Sequence, residues 1–243
     1  MNESEAITKA LKNRRSIRAF RPDPVPEGVL NDVLETALLA PSWGNVQPYR
    51  VAVASGETAK EIATDLTDRF NCAAQIQRAG ILAKLGALMK GGVKPDGDYN
   101  TVMKYPPELG ARYRETGVGL YGVLGIERGD KQARHNQMAR NFSFFDAPTA
   151  LFIFCEKSLG AYGPLDTGIF IQSLALAAEE RGLGTCIQAA LATWSSPVKA
   201  RFDIPENYRL LCGVSIGYPA DHKVNSFAPQ RRPLGELLLK PKT

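Results

Sequence analysis

The run Ala150-Leu151-Phe152-Ile153-Phe154-Cys155 is apolar at every position. A strand turns alternate side chains to opposite faces, so such a run must be buried from both sides and belongs in the middle of a sheet. A chain built around it has to supply one further layer for each face. Helical patterns are available for that purpose. Residues 2–15 place Ala6, Ile7, Ala10 and Leu11 on one stripe, and a helix opened by Pro26 does the same with Val29, Leu30, Val33, Leu34, Ala37 and Leu38 before Pro41 stops it. Helical patterning resumes over 57–89, a polar helix is expected over 130–140, and residues 166–181 are apolar nearly all round and close at Gly182, as a core helix should.

Further strands are expected in the later part of 47–54, over 185–190 and over 209–216, with a short helix opened by Ser196-Pro197 between the last two. Strands and helices do not alternate in regular βαβ units. The pattern predicts an α+β architecture, an α/β/α sandwich with a mixed, mainly antiparallel sheet flanked by helices. No composition shift or repeat divides the 243 residues, so 1–243 reads as one domain. Residues 91–129, rich in glycine and tyrosine, lack clean periodicity and read as an excursion of loops and short helices, lid-like over a pocket.

Composition narrows the function. Thirty basic residues against 25 acidic ones give a formal charge of +5, dispersed along the chain, which suits anionic ligands and does not argue for nucleic acid. Cys72, Cys155, Cys186 and Cys212 are far apart, three of them in apolar runs, and read as reduced thiols, not a disulfide frame. His135 and His222 stand near no cysteine in a ligand-like spacing, so no metal site is expected. The longest apolar stretch, 169–178, is interrupted by Gln172 and Ser173; a cytoplasmic protein with no membrane span is expected.

Two arginine clusters remain, Arg14-Arg15-Ser16-Ile17-Arg18 and Arg231-Arg232-Pro233. Guanidinium forks match phosphate oxygens two at a time, so the clusters could close one phosphate site from opposite ends of the chain. Arg14 and Arg15 also suit the basic end of a helix that Asn2 would cap, with Glu3 and Glu5 in its first turn. Ser16 and Arg18 are less easily explained that way, because Ile17 and Phe20 suggest the chain turning extended.

Two familiar patterns fail on context. Gly117-Val118-Gly119-Leu120-Tyr121-Gly122 has dinucleotide-loop spacing but follows no strand, so its glycines are expected in turns. Gly213-Val214-Ser215-Ile216-Gly217 resembles a hydrolase nucleophile elbow but is followed by Tyr218-Pro219, not a helix, and His222 adjoins the nearby Asp221. Ser215 reads as an ordinary strand residue. No catalytic side chain is predicted.

Four stretches in order resemble the FMN-dependent nitroreductase family, in its nitrobenzoate and nitroaromatic-reducing branch. They are the Arg-x-Ser-x-Arg element at 14–18; Pro41-Ser42-Trp43-Gly44-Asn45-Val46-Gln47-Pro48; the glycine-ended helix and strand from Arg181 to Ala190; and Arg231-Arg232-Pro233-Leu234-Gly235-Glu236. Pro229 stands where many members carry another basic residue. The resemblance implies FMN held by Arg14, Arg15, Ser16, Arg18, Pro41, Ser42, Trp43, Asn45, Gln47, Asn141, Gln188, Ala189, Ala190 and Arg231. Arg14, Ser16 and Arg231 fall to the phosphate, Arg18 to the flavin ring, and the backbone of Ala189 and Ala190 to the ring edge.

It further implies an interwoven homodimer with FMN at the interface, NAD(P)H as donor, and ping-pong hydride transfer to nitroaromatics or quinones. The flavin itself would carry the chemistry. Trp43, Tyr105, Arg112, Tyr113, Phe142 and Phe144 are candidates for a substrate wall. Rival expectations are a reductive dehalogenase or flavin-fragmenting enzyme of the same fold, and, from another class, a basic nucleic-acid-binding module.

Overall fold

The computed structural model describes residues 5–78 and 94–242. Its sheet has four strands, β1 (Tyr49–Ser55), β2 (Thr149–Glu156), β3 (Gly184–Gln188) and β4 (Tyr208–Gly217), in the order β1-β2-β4-β3 with antiparallel neighbours. The apolar run lies in β2, at the centre, paired to β1 from Tyr49 opposite Cys155 and to β4 from Thr149 opposite Ile216. One parallel bridge, Ser16 to Thr185, is added at the β3 edge by the N-terminal segment.

Alternation divides the run between two cores. Ala150, Phe152 and Phe154 face one cluster with Ile62 and Leu66 of α3 (Gly56–Arg78), Phe142, Leu191 and Trp194. Leu151 and Ile153 face the other, formed with Leu30, Val33 and Ala37 of α2 (Glu27–Ala37) and Phe170, Leu174 and Ala178 of the core helix Tyr162–Glu180. Both layers demanded by a two-sided strand are present. The α+β sandwich is therefore the observed fold. Each fully buried Phe or Leu in these clusters contributes roughly 1.5–3 kcal/mol of transfer free energy, so the sheet is held mainly by its two faces.

Around this core, α1 spans Ala6–Asn13; the cap expected at Asn2 and the end of the helix expected near Met89 lie outside the described residues. The excursion departs from expectation. Its described part, from 94, contains one long helix, α4 (Pro107–Leu124), which runs through the glycine cluster and ends on left-handed Gly125. Gly119 is where the C-terminal segment crosses this helix, since a Cβ there would come within 2.9 Å of the Phe227 ring. The polar helix follows as α5 (Lys131–Ala139), capped by Asp130, whose carboxylate accepts from Ala133 N at 2.8 Å. The core helix is α6, and the short helix opened by Ser196-Pro197 is α7 (Ser196–Lys199).

Gly184 opens β3 beneath the N-terminal segment, and a Cβ added there would lie 2.5 Å from Cγ1 of Ile17 and 3.0 Å from Cγ of Pro219. Gly184→Ala should lower stability by about 1–3 kcal/mol through this overpacking. Denaturant titration would show the midpoint falling with the slope unchanged; an unaltered midpoint would refute the close approach.

Candidate functional site

The site elements gather around the β3 edge. After α1 the chain turns extended at Arg14, and Ile17 N donates to Thr185 O at 2.9 Å. Alternation buries Ile17 and Ala19 and leaves Ser16 and Arg18 half-buried. Asn225 fastens this segment to the later chain. Its Oδ1 accepts from Arg18 N at 2.8 Å, while its Nδ2 donates to Ala19 O at 2.8 Å and Ala220 O at 3.0 Å.

The charges in this segment stay uncompensated. Arg15 donates to Ser226 O and Arg18 to Ser16 O, both at 3.3 Å, and the Arg14 guanidinium has no partner among the described residues. Elsewhere Arg69, Arg112, Arg140, Arg181 and Arg201 each meet a carboxylate. Arg14, Arg15 and Ile17 line a cavity of about 190 Å³ with Gly182 and Thr185. Arg18 also lies close enough to β3 to act on Cys186. Burial pushes that thiol up to about 11, and the Arg18 cation opposes the shift.

The loop before β1 is tightly prescribed. Trp43–Asn45 form a 3-10 turn, with left-handed φ at Gly44 (56°), Asn45 (56°) and Gln47 (47°). Glycine and asparagine tolerate that region; a residue such as glutamine is held in it at about 1–2 kcal/mol. Ser42 Oγ accepts from Gln47 N at 3.0 Å, and Gln47 Nε2 donates to Asn45 Oδ1 at 3.2 Å. From below, the carboxylate of Asp166, 4% exposed on α6, accepts from Trp43 N at 3.1 Å. Trp43 stands edge-on to Tyr162 and is 64% exposed, and Pro41 is exposed beside it.

At the far end of β3, buried Gln188 donates through Nε2 to Asn141 O at 2.9 Å and more weakly to Asn141 Oδ1 at 3.4 Å, and its Oε1 accepts from the Ser215 hydroxyl. Asn141 and Gln188 are thus adjacent. Ala189 and Ala190 open a 3-10 turn, whose first N–H groups have no partner within the turn; Ala189 is exposed and Ala190 half-buried. Just after Asn141, Phe144, Phe145 and Asp146 are all left-handed, and Asp146 takes Arg140 Nη2 at 2.8 Å.

The expected substrate wall is corrected in part. Phe142 and Phe144, 4% and 2% exposed, are core residues: Phe142 stacks on Phe70 with centroids 4.7 Å apart, and Phe144 meets Phe152 edge-on. Arg112 is already engaged by Glu108 at 2.6 Å and Glu236 at 3.4 Å. Tyr105 and Tyr113 stack on each other and remain exposed. Arg231 donates to Pro229 O and, with Arg232, lines a cavity of about 450 Å³ against α4, not the one lined by Arg14. The segment that leads to it starts at Asn225 and Ser226, beside Arg15 and Arg18.

Among the described residues no hydrolytic relay forms around Ser215: its hydroxyl donates to Gln188, and His222 Nδ1 accepts from Val224 N at 3.1 Å. Among the described residues no cluster of His, Cys, Asp or Glu could hold a metal ion, and no helix is long and apolar enough to cross a membrane. Asp166 and Asn225 are site residues that the sequence did not single out. A carboxylate inside an apolar helix was the available signal for the first; a lone loop asparagine gave none for the second.

Residues 11–218 match the Nitroreductase family. The chain is 30% identical over 224 residues to a 4-nitrobenzoate reductase of Pseudomonas putida, covering 90% of this chain and 88% of that protein. It is 32% identical over 232 residues to a 4-nitrobenzoate reductase of Nocardioides sp., covering 95% and 87%. Among solved structures it superposes on the FMN-dependent nitroreductase NfnB from Mycobacterium smegmatis in complex with NADPH, with TM-score 0.83, 30% identity and coverage of 98% and 99%.

If Asp166 holds the 42–47 loop, Asp166→Ala should speed hydrogen exchange of the Trp43 amide at least about tenfold, the loss of one charge-assisted bond. Amides of Leu151 to Phe154 should keep their protection. Unchanged exchange at Trp43 would show that the loop is held otherwise.

Proposed function

Because this chain belongs to the Nitroreductase family, we propose that it is an FMN-dependent oxidoreductase that takes electrons from NAD(P)H and reduces nitroaromatic compounds, nitrobenzoates first among them, or quinones. The observation that carries this reading is the set of arginines without carboxylates. Arg14, Arg15, Arg18, Arg231 and Arg232, gathered in two short stretches, meet no acidic group among the described residues, whereas Arg21, Arg69, Arg112, Arg140, Arg181 and Arg201 each pair with a carboxylate. Cations left unpaired beside a half-buried serine suit an anionic ligand.

The donor set fits FMN. Arg14 and Ser16 would hold the phosphate, with Arg15 secondary and Arg231 approaching from the C-terminal arm rooted at Asn225. Arg18, on the β3 side, would lie at the pyrimidine edge of the ring, where a guanidinium favours added negative charge. Asn141, Gln188 and the backbone of Ala189 and Ala190 would define the other edge, and no special side chain is needed there. Pro41, Ser42, Trp43, Asn45 and Gln47 would close the site from a second copy of the chain. FMN, when bound, supplies ping-pong hydride chemistry between nicotinamide and acceptor.

A homodimer is part of the proposal. Leu38, Leu39, Tyr162 and Leu165 are exposed on the body, and Leu237, Leu238 and Leu239 on the arm, Leu239 at 95%. Apolar surface of this extent calls for a cover, and a second copy that contributes the 41–47 loop supplies it. Residues 1–243 then form one domain, with the stretch from 94 through α4 as the wall over the pocket, where Tyr105 and Tyr113 remain substrate contacts.

Visible spectra of the purified protein, with NADH and NADPH added in turn without oxygen, test the reading. Flavin bands that bleach and return on adding 4-nitrobenzoate are expected; no flavin bands even after FMN is supplied would overturn it. Arg231→Ala should weaken FMN binding by about tenfold or more, the loss of a charge-assisted contact, while Arg18→Ala should retain more FMN but reduce it slowly. Equal retention and equal rates would refute that division. Sedimentation should show a dimer, and a stable monomer with bound flavin would refute the shared site.

A further inference from the structure

Ser215 is fully buried near the end of β4, opposite Ala150 of β2 and Cys186 of β3. Gln188 lies two residues beyond Cys186, on the same face and diagonal to Ser215. The residue directly opposite Gln188 is Gly213, whose missing side chain leaves room that Leu191 fills; a Cβ there would fall 2.4 Å from Leu191 Cδ1. Gln188 is therefore a polar side chain, 4% exposed, enclosed by apolar neighbours, and each of its amide atoms needs a partner.

Only one assignment satisfies it. The main-chain carbonyl of Asn141 can only accept, so Nε2 of Gln188 faces it, at 2.9 Å. Oε1 is then turned to Ser215, whose hydroxyl must be the donor. The Asn141 carbonyl thereby sets the orientation of the amide, and the Ser215 hydroxyl satisfies and holds its other end. In the flipped orientation two acceptors, Oε1 and Asn141 O, would face each other in the core.

We propose that Ser215 is a positioning residue of the flavin site: its buried hydroxyl fixes the Gln188 amide, which ties Asn141 to the end of β3 where the Ala189 and Ala190 backbone begins. The inference rests on reading Asn141 and 188–190 as FMN contacts. Asn141 depends on that tie. Its own Nδ2 reaches only Met138, by its carbonyl at 3.0 Å and its sulfur at 3.7 Å, within the same turn. The turn around it is held by Asn141 N to Met138 O at 3.1 Å, Phe144 N to Asn141 O at 3.2 Å and the packed ring of Phe142, and the Gln188 amide is the hydrogen-bonded link from this turn to β3. Without the serine, Oε1 is a buried acceptor with no donor, the side chain is free to shift from its place, and Asn141 and the 189–190 backbone, the contacts of that edge of the proposed ring site, lose their fixed spacing.

The test compares unaltered protein, Ser215→Ala and Ser215→Cys, reading FMN dissociation constants by flavin fluorescence and the midpoint potential of the bound flavin. Ser215→Ala should weaken FMN binding about tenfold. Its potential should fall by about 30 mV, a tenfold loss in relative affinity for reduced over oxidised FMN in a two-electron couple. Ser215→Cys keeps a weak donor of similar size and should shift both in the same direction by less. A change in fold stability alone would not move the potential. If the alanine variant does not fold, an unaltered potential in the cysteine variant overturns the proposal, as would an unaltered potential in the alanine variant. Failure of the unaltered protein to bind FMN would overturn the flavin reading itself, a result distinct from a flavoprotein indifferent to Ser215.

Discussion

The structure depends on burying β2 from both sides. Alternation sends Phe152 and Phe154 to one cluster and Leu151 and Ile153 to the other, so neither helical layer can be removed without exposing half of the central strand. The order β1-β2-β4-β3 then fixes where the site lies, because β3 has β4 on one side only. An open strand edge must be covered, and here the covering chain is the segment from Ser16 onward, through the bridge to Thr185. The segment that carries Arg14, Ser16 and Arg18 is thus placed by a structural need of the sheet. Ile17 fits it there by packing over Gly184.

Much of this was legible in the sequence. The apolar run, the core helix closing at Gly182 and the strand expected over 185–190, which ends at Gln188 where a 3-10 turn begins, carry their signals locally, in period and in stop residues. The glycine-rich stretch did not. Gly117, Gly119 and Gly122 suggest turns, yet they lie inside α4. Gly119 has a reason in the crossing of Phe227, a contact formed by a residue more than a hundred positions away; Gly117 and Gly122 face open space, and nothing in the structure explains them. Phe142 and Phe144 were misjudged for a related reason: aromatic residues beside a binding motif look the same in sequence whether they line a pocket or fill a core.

The anchoring residues were the least legible part of the site. Asp166, Asn225 and Ser215 are single polar side chains whose meaning lies in what a distant segment brings to them. Ser215 was also masked by a pattern that suggested different chemistry. The fold supplies the distinction, since β4 continues through Ser215 to Gly217 with no elbow, and the nearby histidine is engaged in its own turn.

These anchors explain how a strained binding loop survives. Gln47 holds left-handed backbone at about 1–2 kcal/mol. Against that stands the carboxylate of Asp166, enclosed in the sandwich and bonded to Trp43 N. A loop that relaxed away would leave this buried carboxylate without its donor, and an unsatisfied buried acceptor costs about 1–3 kcal/mol, more for a charged group. The penalty for stranding the carboxylate outweighs the backbone strain, so the loop stays. The same logic applies at Gln188, where separation from Asn141 would leave buried amide atoms unpaired. The polar groups inside this core therefore act less as general stabilisers than as fasteners: each makes the wrong position of a surface segment more costly than the strain of the right one, and so transmits the rigidity of the sheet to loops that packing alone would not fix.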